Sequence, residues 1–560
     1  MDIYNIMNKK TLILLLILFT PIRIFSKDKL PSWLDKAVFY QIYPQSFKDS
    51  DGDGIGDLNG ITQKIDYLSN LGITAIWLNP IFESPFKDAG YDVSDFYKIA
   101  PRYGNIADIK NLTNIAHKKG IKVVLDLVAG HTSDQHSWFK ESALGKKNKY
   151  TDFYIWTPSK EIKPENYVTG NFERNGNYKR NFFDCQPALN YGFATKNNNW
   201  EQSIDSKSAK MVRHELKNII AFWMDKGIDG FRVDMASSLI KNDSNLIENT
   251  NMWIEIRNWY SKKYPDGVLI AEWSNPKQAV NAGFMIDFMM HFNVPGYPSL
   301  FFNNGGVFKR ENAYFDIQAN GSPFEFISNY TEQIQSVAEK GFVSIPTGNH
   351  DINRLNAGRR NTDEQLKTAL FFILTIKGVP FIYYGDEIGI PYTEDLEDKE
   401  GSVLVNLNNE NRAGSRTPMQ WDASKNAGFS TADDNKLYLP VHSSYPIRNV
   451  DIQKQDKNSL LNFCRQLISY RKQYPTLGNQ GDIRFLNTND QKYPLCYKRT
   501  DKSSEFLLIV NPTNQMQTII LDEKVKVFIE VIKNNTTYSY LNNQTIFTIG
   551  QNGYSIFKIK

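Results

Sequence analysis

The chain has 560 residues, about twice the length at which a single hydrophobic core stops growing, so two or more domains are expected. A net charge of +4 without a recurring basic tract argues against nucleic acid as a partner. Three cysteines, Cys185, Cys464 and Cys496, are too few for a disulfide scaffold and are not spaced for a thiolate metal cluster.

At the N-terminus Lys9 and Lys10 precede TLILLLILF, an apolar run too short to span a bilayer, and Ser26 and Lys27 follow it. Residues 1–26 read as a signal peptide, which predicts a secreted or periplasmic protein; the alternative is an uncleaved membrane anchor. VFYQIYP (38–44) predicts the first strand. The loop after it, DSDGDGIGDLNGI (49–61), begins like an EF-hand with Asp49, Asp51, Asp53 and Gly54. Gly60 stands where the closing bidentate glutamate belongs, so the loop is not an EF-hand. So many carboxylates in one glycine-rich turn repel one another unless a hard cation neutralises them.

Further apolar runs follow at ITAIWLNP (73–80), IKVVLDLV (121–128), IDGFRVDM (228–235), VLIAEW (268–273), MIDFMM (285–290), FVSIPTG (342–348) and PFIYYGDE (380–387). Helical patterns separate most of them. This βαβ rhythm predicts parallel strands buried on both faces, and about eight units favour a closed (β/α)8 TIM barrel over an open doubly wound sheet. Residues 131–200 are rich in Asn, Lys, Tyr and Trp, break the rhythm and predict a subdomain inserted after strand 3. After the helix at 460–475 the segments from FLLIVNP to YSIFKI predict a C-terminal antiparallel β-sandwich domain. The expected organisation is a barrel over 31–130 and 201–478, an inserted domain over 131–200 and a β domain over 479–560.

Polar residues gather where these strands end. Asp126 lies in the third and His131 just past it. Arg232 and Asp234 close the fourth, Glu272 closes the fifth, and Asn349, His350 and Asp351 follow the seventh. In a barrel of this type the C-terminal strand ends share one cleft. Three carboxylates with cations beside them suit glycosidic cleavage, which needs one acid to protonate the leaving oxygen and one carboxylate to attack. No glycine-rich phosphate loop, GxSxG elbow or HExxH pair is present.

Taken in order, VFYQIYPQSFKDSDGDGIGDLNGI, DLVAGHTSDQH, GFRVDMA, AEW, GNHD and RAGSRTPMQW resemble the α-amylase superfamily of glycoside hydrolases, in the branch of oligo-1,6-glucosidase and α-glucosidase. The resemblance covers nearly everything after Leu30. It implies Asp234 as nucleophile, Glu272 as acid/base and Asp351 as the carboxylate that grips and distorts the sugar. It implies substrate contacts from Asp88, Tyr91, His131, Arg232, His350 and Arg416, with Arg232 keeping Asp234 ionised. It also implies a structural Ca2+ or Mg2+ held by Asp49, Asp51, Asp53 and Asp57 and by the backbone carbonyl of Ile55. The chain departs from the family at Gly130, where an asparagine is usual, at DAGYD, where many relatives read DNGYD, and at QPALN, which lacks the acid of QPDLN. A second calcium site is therefore not expected.

The function so implied is a retaining α-glucosidase that hydrolyses short α-gluco-oligosaccharides or disaccharides through a covalent glucosyl-enzyme. The alternatives are a glucosyltransferase or sucrose isomerase of the same family, and a non-catalytic amylase-like binding protein. Membrane contact follows only if the N-terminal segment stays uncleaved.

Overall fold

The computed structural model describes residues 30–405, 408–487 and 491–560. The expected signal segment, residues 1–26, lies outside the described residues.

Eight parallel strands form the centre: β1 Phe39–Ile42, β2 Ala75–Leu78, β3 Lys122–Leu127, β4 Gly230–Val233, β5 Val268–Ala271, β6 Ile286–Phe288, β7 Phe342–Ser344 and β8 Phe381–Tyr383. Each predicted strand is present. Hydrogen bonds link them in the order β7, β6, β5, β4, β3, β2, β1, β8, as a barrel requires. The last seam, β7 to β8, is the thinnest. It holds a single bridge, Pro346 to Phe381, with Thr347 N–H donating to the Phe381 carbonyl at 3.0 Å and Val379 N–H to Val343 at 3.2 Å.

Strand alternation sorts the core into two layers. Phe39, Ala75, Trp77, Val124, Ile270, Phe288 and Phe381 belong to one buried cluster, with Phe39 stacked on Phe381 at 4.3 Å. Their neighbours Tyr40, Ile76, Val123, Leu125, Phe231, Leu269 and Ile382 belong to the larger cluster shared with the helices. Gln41, Asp126 and Arg232 fall in the phase of the first set, near the C-terminal ends, and all are buried. Asp126 faces Arg232 directly across the β3–β4 pair. The alternation that builds the core therefore also aims the polar residues at the mouth.

Between β3 and the helix Lys207–Met224 lies the inserted segment, whose regular structure is the short helix Ser137–Ser142 and the two-residue strands Tyr167–Val168 and Tyr178–Lys179. The C-terminal domain is one curled antiparallel sheet of six strands. These are β9 Asp482–Phe485, β10 Leu495–Thr500, β11 Glu505–Val510, β12 Gln517–Leu521, β13 Ile529–Leu541 and β14 Gln544–Lys558. The long β14 pairs with β11, β12 and β13. Among the described residues no helix is long and apolar enough to cross a membrane.

A buried arginine rivets this sheet to the barrel. Arg499 on β10 donates to the carbonyls of Thr375, Leu477, Gly478 and Gly481. Within the barrel, Arg471 of the helix Leu460–Gln473 donates to the carbonyls of Leu374, Ile376 and Gly378. Arg499 has no carboxylate partner among the described residues, so the carbonyls alone satisfy a buried cation. Arg499→Ala would leave several carbonyls unpaired, and we expect a loss of about 3 kcal/mol or more in unfolding free energy by chemical denaturation. A loss under about 1 kcal/mol would show that the rivet is dispensable.

Candidate active site

The floor of the pocket is built around Arg232, whose side chain is 1 % exposed. Its Nη1 donates to Asp126 Oδ1 at 3.0 Å and to Asp234 Oδ1 at 2.9 Å, while Nη2 lies 2.8 Å from Glu272 Oε1. One guanidinium thus bridges three carboxylates from β3, β4 and β5. Burial and the Glu272 carboxylate push Asp234 well above the ordinary value, against the pull of Arg232. Burial also raises Asp126, and Arg232 again opposes it. Arg232 thus pulls Asp234 toward its ionised form, as expected, while burial and the neighbouring carboxylates pull the other way.

Local backbone aims these groups. Met235, next to Asp234, adopts a left-handed conformation at φ 44° and turns its N–H onto Glu272 Oε2 at 2.8 Å. Such a conformation costs a non-glycine residue roughly 1–2 kcal/mol. The turn after Glu272 is held by Asp287 on β6, which accepts from Trp273 N–H at 3.0 Å and from Asn275 N–H at 2.8 Å.

One wall is a chain of directed hydrogen bonds. The Gln41 amide donates to His350 Nδ1 at 3.0 Å, so the ring proton resides on Nε2. Nε2 lies 2.7 Å from the Tyr91 hydroxyl and 3.0 Å from Asp351 Oδ2. The Tyr91 hydroxyl donates to Asp126 Oδ2 at 3.0 Å and stacks on His350 at 5.3 Å. Burial pushes His350 down, which fits a neutral ring facing an amide donor. Burial likewise takes His131 down to about 3, so it too is a neutral imidazole.

At the far end Asp351 Oδ1 accepts from Arg412 Nη1 at 2.6 Å and Arg416 Nη2 at 3.2 Å. Burial alone would raise Asp351, yet His350 and the two arginines hold it well below the usual carboxylate range. Arg412 Nη2 also reaches Asp88 Oδ1 at 3.3 Å, and Gln186 donates to Asp88 Oδ2 at 2.7 Å. Asp88 sits in the DAGYD turn, where Ala89 is left-handed at φ 47°, a conformation that asparagine tolerates better than alanine. These bonds close the pocket at one end.

The pocket is lined by Asp88, Tyr91, His131, Asp234, Glu272 and Asp351 of the predicted set. Arg232, His350 and Arg416 stand behind that lining, bonded to its members. The arginine that lines it is Arg412, four residues before the predicted Arg416 in the same motif. Sequence reading also missed an apolar rim of Phe182, Phe292 and Phe308 with His291 beside it. Phe182 comes from the inserted segment and the others follow β6, so no local spacing joins them.

Away from the pocket, Asp49, Asp51 and Asp57 bring carboxylate oxygens within 4.8 Å of one another. Asp53 is not in that group; its Oδ1 accepts from Ile55 N–H at 2.8 Å. Asp57 caps the helix Leu58–Gln63, and Asp49 accepts from Gly52 N–H at 2.7 Å and Gly54 N–H at 2.9 Å. Three oxygen donors on a tight turn fit a hard cation.

The family model for the catalytic domain of α-amylases matches residues 41–480. The oligo-1,6-glucosidase of Parageobacillus thermoglucosidasius is 32% identical over 86% of this chain and 90% of its own. The trehalose synthase/amylase of Mycolicibacterium smegmatis is 32% identical over 79% and 77%. Among solved structures, a variant of the isomaltulose synthase of Erwinia rhapontici NX5 in complex with D-glucose superimposes with a TM-score of 0.78 at 27% identity, over 95% of this chain and 100% of that one.

Arg232→Lys keeps the charge but not the planar fork. We expect turnover of a chromogenic α-glucoside to fall about 100-fold or more, with circular dichroism unchanged. A folded variant retaining wild-type turnover would show that the fork is not needed.

Proposed function

The chain belongs to the α-amylase family, and from that premise we propose that it opens α-glucosidic bonds of short sugars with retention and passes the glucosyl group chiefly to a sugar hydroxyl. The carrying observation is the single guanidinium shared by Asp126, Asp234 and Glu272 on the floor of a pocket closed at one end. That closure by Asp88, Gln186 and Arg412 suits one terminal glucosyl unit.

The steps follow from these positions. Glu272, entering as the acid, gives a proton to the glycosidic oxygen, and the leaving sugar departs. Asp234 attacks the anomeric carbon from the opposite face and forms a β-glucosyl ester. Glu272, now a base, takes the proton of an acceptor hydroxyl, whose oxygen displaces Asp234. Asp351 accepts hydroxyls of the glucosyl ring and keeps its charge because its arginines travel with it. Tyr91 and His131 wall the ring, and His350 fixes Tyr91.

Transfer is favoured over hydrolysis by the rim. Phe182, Phe292 and Phe308 present apolar faces at the open side, where they stack a sugar and displace water. The likeness to a trehalose synthase/amylase and to an isomaltulose synthase supports the same reading. Hydrolysis is the second reading, supported by the likeness to an oligo-1,6-glucosidase. We also propose that Asp49, Asp51 and Asp57, with Asp53 and the Ile55 carbonyl, hold one structural Ca2+ or Mg2+ that pins the loop after β1 and takes no part in the reaction.

Incubation at high sucrose, and separately at high maltose, should give a new disaccharide in excess of free glucose. Glucose and the co-product alone would favour hydrolysis. Any glucose released should appear first as the α-anomer in proton NMR; an initial β-anomer would sink the retaining mechanism.

Calcium or magnesium at about 100 times its Kd should stabilise the protein by about 2.7 kcal/mol over the chelated form, and Asp49→Ala should abolish that gain. Equal melting with and without either ion would remove the metal proposal.

A further inference from the structure

We infer that Asn181, from the inserted segment, is a positioning residue for His131, seated in space that Gly130 leaves open and locked by Lys241. The inference rests on the reading of the pocket as a glucosyl site, because His131 matters only as part of that wall.

The inserted segment returns to the barrel at this point. His131 bridges Ala188, and Leu189 N–H donates to the Gly130 carbonyl at 3.1 Å. Gly130 is not among the residues with positive φ, so its backbone does not call for glycine. Its side-chain space does. A Cβ on residue 130 would stand 3.0 Å from Asn181 Nδ2, tighter than a side chain normally sits. The missing side chain thus leaves the amide room that even an alanine would narrow by a few tenths of an ångström.

Once admitted, the amide makes the middle link of a directed chain. Lys241 Nζ donates to Asn181 Oδ1 at 3.2 Å, Asn181 Nδ2 meets His131 Nδ1 at 3.0 Å, and His131 Nε2 meets the Tyr91 carbonyl at 3.1 Å. A lysine nitrogen next to the amide oxygen and a backbone carbonyl next to Nε2 leave one consistent assignment. Asn181 donates, Nδ1 accepts, and the ring proton is on Nε2. Lys241 is itself held by the Ser238 carbonyl at 2.6 Å, in the loop that follows Asp234. Two segments distant in sequence therefore set the tautomer and the plane of one pocket ring. Without Asn181 nothing else described here donates to Nδ1, and the ring is free to turn or to move its proton.

Ring-15N-histidine NMR on the full chain reads this without turnover, with His131→Asn identifying the His131 signals. The wild type should show an unprotonated Nδ1 and a protonated Nε2. Asn181→Asp is isosteric but accepts where the amide donates, so it should move a proton onto Nδ1. Asn181→Ala should lower kcat/KM for an α-glucoside about tenfold, mainly through KM, and Gly130→Ala, which crowds the amide, should do the same. Unchanged His131 signals in both Asn181 variants would overturn the inference. Shifted signals in an enzyme inert on every α-glucoside would uphold it and defeat only the proposed function.

Discussion

The structure turns on one constraint: a single buried cation must serve three carboxylates. Arg232 can do so only because β3, β4 and β5 are neighbours and because its own position is in the inward phase of β4. A guanidinium has enough donors, spread over a plane, to reach all three at once. The imbalance of charge is equally important. Without that cation three buried carboxylates would stand side by side with no partner of opposite charge.

Around that floor the remaining polar groups are arranged by tautomer as much as by distance. Gln41 fixes His350, His350 fixes Tyr91, and Tyr91 returns to Asp126. Each link is a neutral donor handed to the next acceptor, so the wall is rigid without adding charge. At the closed end the logic reverses, and two arginines with His350 hold Asp351 well below the usual carboxylate range. The pocket therefore has a floor where one cation is shared by three carboxylates and an end where two cations share one carboxylate.

Much of this was legible in the sequence for a physical reason. Strands buried on both faces appear as short apolar runs, and a polar residue inside or just after such a run has no neutral explanation when several recur. Asp126, Arg232, Asp234, Glu272 and Asp351 were found that way, and the family resemblance supplied roles. The rest depends on contacts between distant segments. Nothing local distinguishes Arg412 from Arg416 in RAGSRTPMQW; only the fold shows that one lines the pocket and the other stands behind it. The rim drew on an inserted segment and on a stretch after β6 that has no periodicity. Gly130 stood out as a departure, yet its meaning needed Asn181, which is 3.0 Å from His131 in space and 50 residues away in the chain.

The thin seam between β7 and β8 has its own consequence. Thr347, which patches it with a side-chain hydroxyl accepting Tyr383 N–H and donating to Asp386, lies just below His350 and Asp351. Asp234 and Glu272 rise instead from the continuously paired stretch of the sheet. The two halves of the pocket therefore stand on foundations of unequal stiffness. Asp234 and Glu272 are mounted on the continuously paired part, and Asp351 is mounted beside the joint. A sugar touching both would tie the wall beside the thinnest seam to the continuously paired strands.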